Sequence, residues 1–360
     1  MGFDVLTRAT TDDRVPDMNL VALAAWILAG VALSWAMTGL TRKAALRTSL
    51  LDHPNERSSH THPTPRGGGL GIVLPFLGIA AFLHTDGQID TRLFGATLGA
   101  GLLVAALGFV DDCMGLAARW RFAGHVAASA WIIGLLWPLP PLQVFGHLHE
   151  WEPWSVPVVA LTIVWMINFF NFMDGIDGIA AIEATSVALG GALVWWLVAP
   201  GSDWLLAVLF AACVCGFLLW NFPPARIFMG DAGSGSLGVI LAVLALWSAR
   251  DAPHLAWSWL VLSGVFIVDA TTTLMRRVRR GERFSEAHRN HAYQYAARKH
   301  GSHRSVTLAV LAINVAWLLP IAVAIALRWL DGMAGLGLAL GPLVWLAYFY
   351  KAGDRAGQAI

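Results

Sequence analysis

Five aspartates stand at the ends of long apolar runs. Asp111 and Asp112 close GFVDD, Asp174 and Asp177 fall in NFFNFMDGIDG, and Asp231 is set in FMGDAGSGSLG. Acids beside hydrocarbon are costly and usually functional. The adjacent pair Asp111 and Asp112 repel each other unless a cation or a proton relieves them; the plain alternative is a pair of solvated loop acids. Asn168, Asn171, Asp174 and Asp177 recur every third residue, so on a helix consecutive pairs lie close enough to address one ligand. Gly175 and Gly178 loosen the backbone there, although DG pairs are also ordinary turn formers. Asp231 sits among Gly230, Gly233 and Gly235, where small residues opening a helix can present free amides to phosphate. It is no Walker A loop, because no Lys followed by Ser or Thr comes after the last glycine; close helix packing is the plain alternative. The fourth cluster is AHRNHAYQ, with His288, Arg289, His291, Tyr293 and Gln294. No cysteine or further histidine stands at a zinc-ligand spacing, so phosphate binding among basic residues fits better. Arg119 and Arg121 add positive charge close to the aspartate pair. Carboxylate and amide oxygens without thiolates suit magnesium, with manganese a candidate substitute, and magnesium beside basic side chains suits a diphosphate. Together these residues point to metal-assisted phosphoryl transfer at a membrane surface.

The elements that must position them are transmembrane helices. Of 360 residues 57% are hydrophobic and only 13% charged, against about 25% charged in a soluble domain. The apolar runs reach the roughly 17 to 25 residues needed to cross a bilayer. Spans are expected at 18–40, 67–84, 93–110, 122–138, 156–173, 178–198, 204–220, 233–249, 256–275, 305–326 and 333–350. That is an all-α integral membrane bundle of about eleven helices, with residues 18–350 a single transmembrane domain. Alternate loops hold 19 of the 24 Lys and Arg, and positive residues are retained in the cytoplasm. All five aspartates and both motif histidines therefore fall on the cytoplasmic face. Residues 1–17 become an extracytoplasmic tail without the pattern of a secretory signal, and 351–360 a cytoplasmic one. The near-zero net charge of +1 excludes a generally basic nucleic-acid binder. The three cysteines are too scattered for a disulfide framework.

The ordered set PNERSSH with PTPRGGG, GFVDD, NFFNFMDGIDG, FMGDAGSGSLG and HRNHAYQ, from about Pro54 to Tyr295, resembles the polyprenyl-phosphate N-acetylhexosamine-1-phosphate transferase family. The forms PNERSSH and HRNHAYQ look more like the branch that starts O-antigen chains than like the murein-precursor translocases. The resemblance implies magnesium on Asn171 and Asp231, with Asp111, Asp112 and Asp174 as essential acids. It places Arg121 on the diphosphate, Phe228 against uracil and Asp177 by the nucleoside. His288, Arg289 and His291 become substrate-binding residues, although many members have a run of histidines where this chain has His288, Arg289, Asn290 and His291. The implied reaction carries N-acetylhexosamine 1-phosphate from a UDP-N-acetylhexosamine to undecaprenyl phosphate and releases UMP, in the bacterial inner membrane and with a homodimer as a candidate assembly. Asp111 would either position or deprotonate the lipid phosphate, or act as a nucleophile in a two-step route; both stay open. From another class, an ion-coupled transporter would hold its substrate and ion residues near the bilayer midplane, which the positions of these aspartates disfavour.

Overall fold

The computed structural model describes residues 20–52, 63–150, 152, 156–282 and 289–354. His288, the PNERSSH motif, the tail 1–17 and most of the tail 351–360 lie outside them. The chain runs as α1 (Leu20–Arg47), a short antiparallel pair β1 (Leu51–Asp52) and β2 (Thr64–Pro65), α2 (Leu70–Thr85), α3 (Thr91–Met114) and α4 (Ala118–Leu136). A hairpin of β3 (Leu142–Val144) and β4 (His147–His149) follows, then α5 (Val156–Met173), α6 (Ile179–Val198), α7 (Trp204–Asn221) and α8 (Asp231–Asp251). The last helices are α9 (Leu255–Leu262), α10 (Gly264–Arg279), α11 (Ala292–His300), α12 (His303–Ile313), α13 (Leu319–Ala326) and α14 (Gly332–Phe349).

Eight helices among the described residues are long and apolar enough to span a membrane, and nine if the pair α9–α10, bent by 68° at Ser263, counts as one. The protein is therefore a multi-pass membrane protein. Eleven spans were expected. The difference lies in α2, which has only 16 residues, and in α4, whose first turns carry Arg119, Arg121 and His125 in place of apolar side chains. A π-helical segment, Asn314–Leu318, links α12 to α13. The short polar helix α11 was not foreseen as a separate element.

The core is built around α8. Of its apolar window 89% is buried, against 11% for the outer helix α1, so α8 is the axis on which the others pack. Hydrocarbon supplies no hydrophobic drive between helices in a bilayer, and small residues that let backbones approach take its place. A Cβ on Gly238 would stand 2.3 Å from the Met166 carbonyl of α5, and one on Gly108 of α3 would stand 2.4 Å from the Asp231 backbone. These glycines set α3 and α5 against the first turns of α8. The bearers of Asp111, Asp112, Asn171 and Asp231 are thereby drawn to one end of the bundle.

Candidate active site

The site starts from the chain after α1. Residues 65–69 of the PTPRGGG motif pair with the strand-like stretch before α8: Phe228 N–H donates to Pro65 O at 2.8 Å, and Gly68 and Gly69 N–H donate to Phe228 and Met229 O at 2.9 and 2.8 Å. A Cβ on Gly69 would lie 2.1 Å from Gly233 Cα, so only glycine permits this approach. Gly230 then takes φ +77, a conformation that costs glycine little, and turns the chain into α8 with Asp231 as its first residue. Two widely separated motifs are joined by backbone hydrogen bonds that hold Phe228, half-buried, beside Arg66.

Asp112 closes this corner. Its side chain is fully buried and pairs with Arg66 at 3.7 Å, and its two oxygens accept the Asp231 and Ala232 N–H groups at 3.1 and 3.3 Å. A carboxylate at a helix N-terminus answers the unpaired amides and the dipole, so Asp112 of α3 caps α8. Its effect on Asp231 is to hold the turn that carries it. Asp111 faces the other way: it accepts the Leu116 N–H, pairs with Arg121 at 2.9 Å, and its carboxyl meets that of Asp231. Arg121 also reaches Asp231 at 3.7 Å. Arg119, expected to share this task, instead lies 5.8 Å from the Trp120 ring.

The expected three-residue array splits. Helix α5 ends at Met173, so Asn168 and Asn171 are helical while Asp174 and Asp177 lie in the following turn. Asn168 donates to Val164 O at 2.7 Å and lies 3.3 Å from His125 Nδ1. Asn171 donates to Ser234 Oγ at 3.1 Å and bonds the Asp231 carboxyl. Asp174 is held among Asp231, Asp112 and Arg66; burial first, then these neighbouring carboxyls, pushes its carboxyl well above the usual range. Asp177 takes other partners, accepting the Ala225 N–H at 3.0 Å and pairing with His303 at 3.4 Å. Gly178, at φ +76, permits the turn, and its N–H donates to Asn221 Oδ1 at 2.9 Å.

Of the last motif, Arg289 is half-buried and its carbonyl accepts from Arg298 at 3.2 Å. His291 is 2% exposed. Its Nδ1 lies 3.2 Å from Asp269 Oδ1, and its ring neighbours Phe172 and Tyr293. The structure thus brings together Asp111, Asp112, Asn171, Asp174, Asp231 and Arg121. It sets Asp177 and His291 on flanking contacts. Sequence reasoning missed Arg66, His125, Ser234, His303 and Asp269. Asp269 alone carried a signal, an acid inside the apolar run VFIVDATTT.

The described residues contain no ready cluster of three His, Cys, Asp or Glu side chains for a metal. Magnesium asks for less, because it keeps several waters and uses one or two carboxylates plus substrate phosphates. The donor set fits that pattern: the Asp231 carboxyl touches both the Asp111 carboxyl and the Asn171 amide, and crowded carboxyls call for a cation or a proton between them.

Residues 94–249 match the model of glycosyl transferase family 4. A decaprenyl-phosphate N-acetylglucosaminephosphotransferase of Mycolicibacterium smegmatis is 31% identical, over 85% of this chain and 82% of its own. A probable undecaprenyl-phosphate N-acetylglucosaminyl 1-phosphate transferase of Bacillus subtilis is 28% identical, over 83% and 84%. A phospho-N-acetylmuramoyl-pentapeptide-transferase of Desulforapulum autotrophicum is 27% identical, over 71% and 77%. The chain belongs to glycosyl transferase family 4 and, within it, to the polyprenyl-phosphate hexosamine-1-phosphate transferases.

Proposed function

From that membership we propose that this protein transfers N-acetylhexosamine 1-phosphate from a UDP-sugar to a polyprenyl phosphate of the bacterial inner membrane, releasing UMP at the cytoplasmic face. N-acetylglucosamine is the sugar in the names of the mycobacterial and Bacillus relatives, which supports it as the donor sugar here. The cytoplasmic placement is supported by the Lys and Arg concentrated in the loops of the same end. The observation that carries the reading is the convergence of Asp111, Asp112, Asp174, Asp231 and Asn171 on one corner with two arginines.

The physical task is to bring two anions together with attacking and leaving oxygens in line. Asp231 and Asn171 would hold magnesium, which when bound neutralises diphosphate charge as the leaving group departs. Arg121, with a third of its side chain open and already paired to Asp111 and Asp231, is placed to pass to a substrate phosphate. A phosphate monoester is largely dianionic near neutral pH, with a second pKa of about 6, so the lipid phosphate supplies its own nucleophilic oxygen. Asp111 then orients that phosphate and Asp112 keeps the α8 turn in place. The test is UMP release by purified protein given magnesium, undecaprenyl phosphate and a panel of UDP-N-acetylhexosamines. Release that requires the lipid, selects one sugar and stops with EDTA is expected. No release from folded protein across the panel would refute the proposal.

A further inference from the structure

Asp269 has no part in the reaction as described, yet both of its carboxylate oxygens are engaged. It lies inside α10, 5% exposed. Oδ1 accepts the Ala292 N–H at 2.9 Å and the Thr273 hydroxyl at 3.1 Å, and it lies 3.2 Å from His291 Nδ1. Oδ2 accepts the Tyr293 N–H at 3.0 Å. The first amides of α11 are thus satisfied by a carboxylate from another helix, the device by which Asp112 caps α8.

What α11 does with that anchor points at the site. The Tyr293 hydroxyl donates to Phe172 O at 3.1 Å, and a Cβ on Gly175 would stand 2.1 Å from the same hydroxyl oxygen. Phe172 and Gly175 enclose the end of α5 and the turn that holds Asp174, and Phe172 directly follows Asn171. The chain of contact runs from Asp269 through the α11 amides and Tyr293 to the segment that carries Asn171 and Asp174.

We infer that Asp269 is a positioning residue for the transfer: by capping α11 it sets where Tyr293 bears on the Phe172–Gly175 turn, and so where Asn171 and Asp174 stand. The inference rests on the proposed transferase reading. Asn at this position keeps the volume but brings an NH2 against an amide donor, and a buried donor left unpaired is costly. Groups that orient the first ring of a site typically matter 10- to 100-fold.

The test uses the full-length protein in detergent with magnesium, undecaprenyl phosphate and the active UDP-sugar, and reads two quantities. Asp269→Asn is expected to lower kcat by about 10- to 100-fold with the donor KM changed less than about threefold. Hydrogen exchange should also accelerate in peptides covering 289–300 and 171–178. Should Asp269→Asn not fold, Thr273→Val removes one donor to the same carboxylate and is expected to shift both readouts in the same direction by a smaller factor. Asp251→Asn, an acid at the opposite end of the bundle, serves as the control and should leave kcat unchanged. Unchanged exchange in both peptides, or faster exchange with full kcat, would overturn the inference. A wild-type protein without lipid-dependent UMP release would instead refute the transferase reading; the exchange arm would then still decide whether Asp269 governs the 171–178 segment.

Discussion

The two ends of this bundle use the same residue type in opposite ways. At the end bearing the hairpin β3–β4, four aspartates each have a neutral donor of their own. Asp90 and Asp331 cap α3 and α14 at 2.7 and 3.0 Å, Asp203 accepts the Trp247 indole at 2.7 Å, and Asp251 accepts that of Trp195 at 2.6 Å. At the other end the Asp231 carboxyl meets that of Asp111 and lies near that of Asp174, and Arg121 pairs with both Asp111 and Asp231, so each acid there faces another acid besides its donors. A carboxylate with its own amide or indole is a structural tie. Carboxyls that crowd together hold a cost that a cation and an anionic substrate can relieve. An aspartate at a helix end is thus assigned to structure or chemistry by what faces it, and the comparison can be broken by exchanging those roles.

The largest effect should come from Asp231→Ala, with turnover falling by about 10³-fold while thermal unfolding stays within a few degrees of wild type. Steady-state UMP release beside a melting curve checks both halves. Next, Gly108→Val should push α3 from the α8 turn, since even the first carbon stands 2.4 Å from the Asp231 backbone. Overpacking of this kind costs about 1–3 kcal/mol, and here activity should fall together with stability. Asp251→Ala should show the reverse profile from Asp231→Ala. Leaving the Trp195 indole unpaired costs about 1–3 kcal/mol, visible as a lower melting temperature, with kcat within about twofold of wild type. The smallest effect is on pH. Hydrogen bonds from Arg280, then Arg277, hold Glu282 down from 4.5 to about 2. A depressed folded value means that its contribution is present above 4.5 and drains as pH falls towards 2. Wild-type melting temperature should therefore drop more than that of Glu282→Gln between pH 5 and pH 3.

The helices were legible because apolar run length is a property of neighbours in sequence, and each run expected to span does form a helix or a bent pair. The acids of GFVDD and FMGDAGSGSLG were legible as chemistry for the same reason: acids stood where hydrocarbon was expected. What could not be read was which acid faces which. Asp177 and Asp174 are three apart, yet α5 stops at Met173 and the turn sends one to His303 and the other to the carboxyl cluster. His291 looked like a phosphate ligand among basic residues, but its burial against Asp269 follows from the 68° bend between α9 and α10 and the docking of α11, neither of which leaves a trace in spacing. Arg66 was hidden in a glycine-rich motif whose partner strand lies some 160 residues away.

The most direct measurement places one acid from each end in the same assay: UMP release from magnesium, undecaprenyl phosphate and UDP-N-acetylglucosamine by wild type, Asp231→Ala and Asp251→Ala, each confirmed folded. Turnover by wild type and Asp251→Ala, with Asp231→Ala slower by about 10³-fold, is the expected result. An Asp231→Ala protein with turnover near that of wild type, or an Asp251→Ala protein that folds but does not turn over, would contradict the division of labour between the two ends.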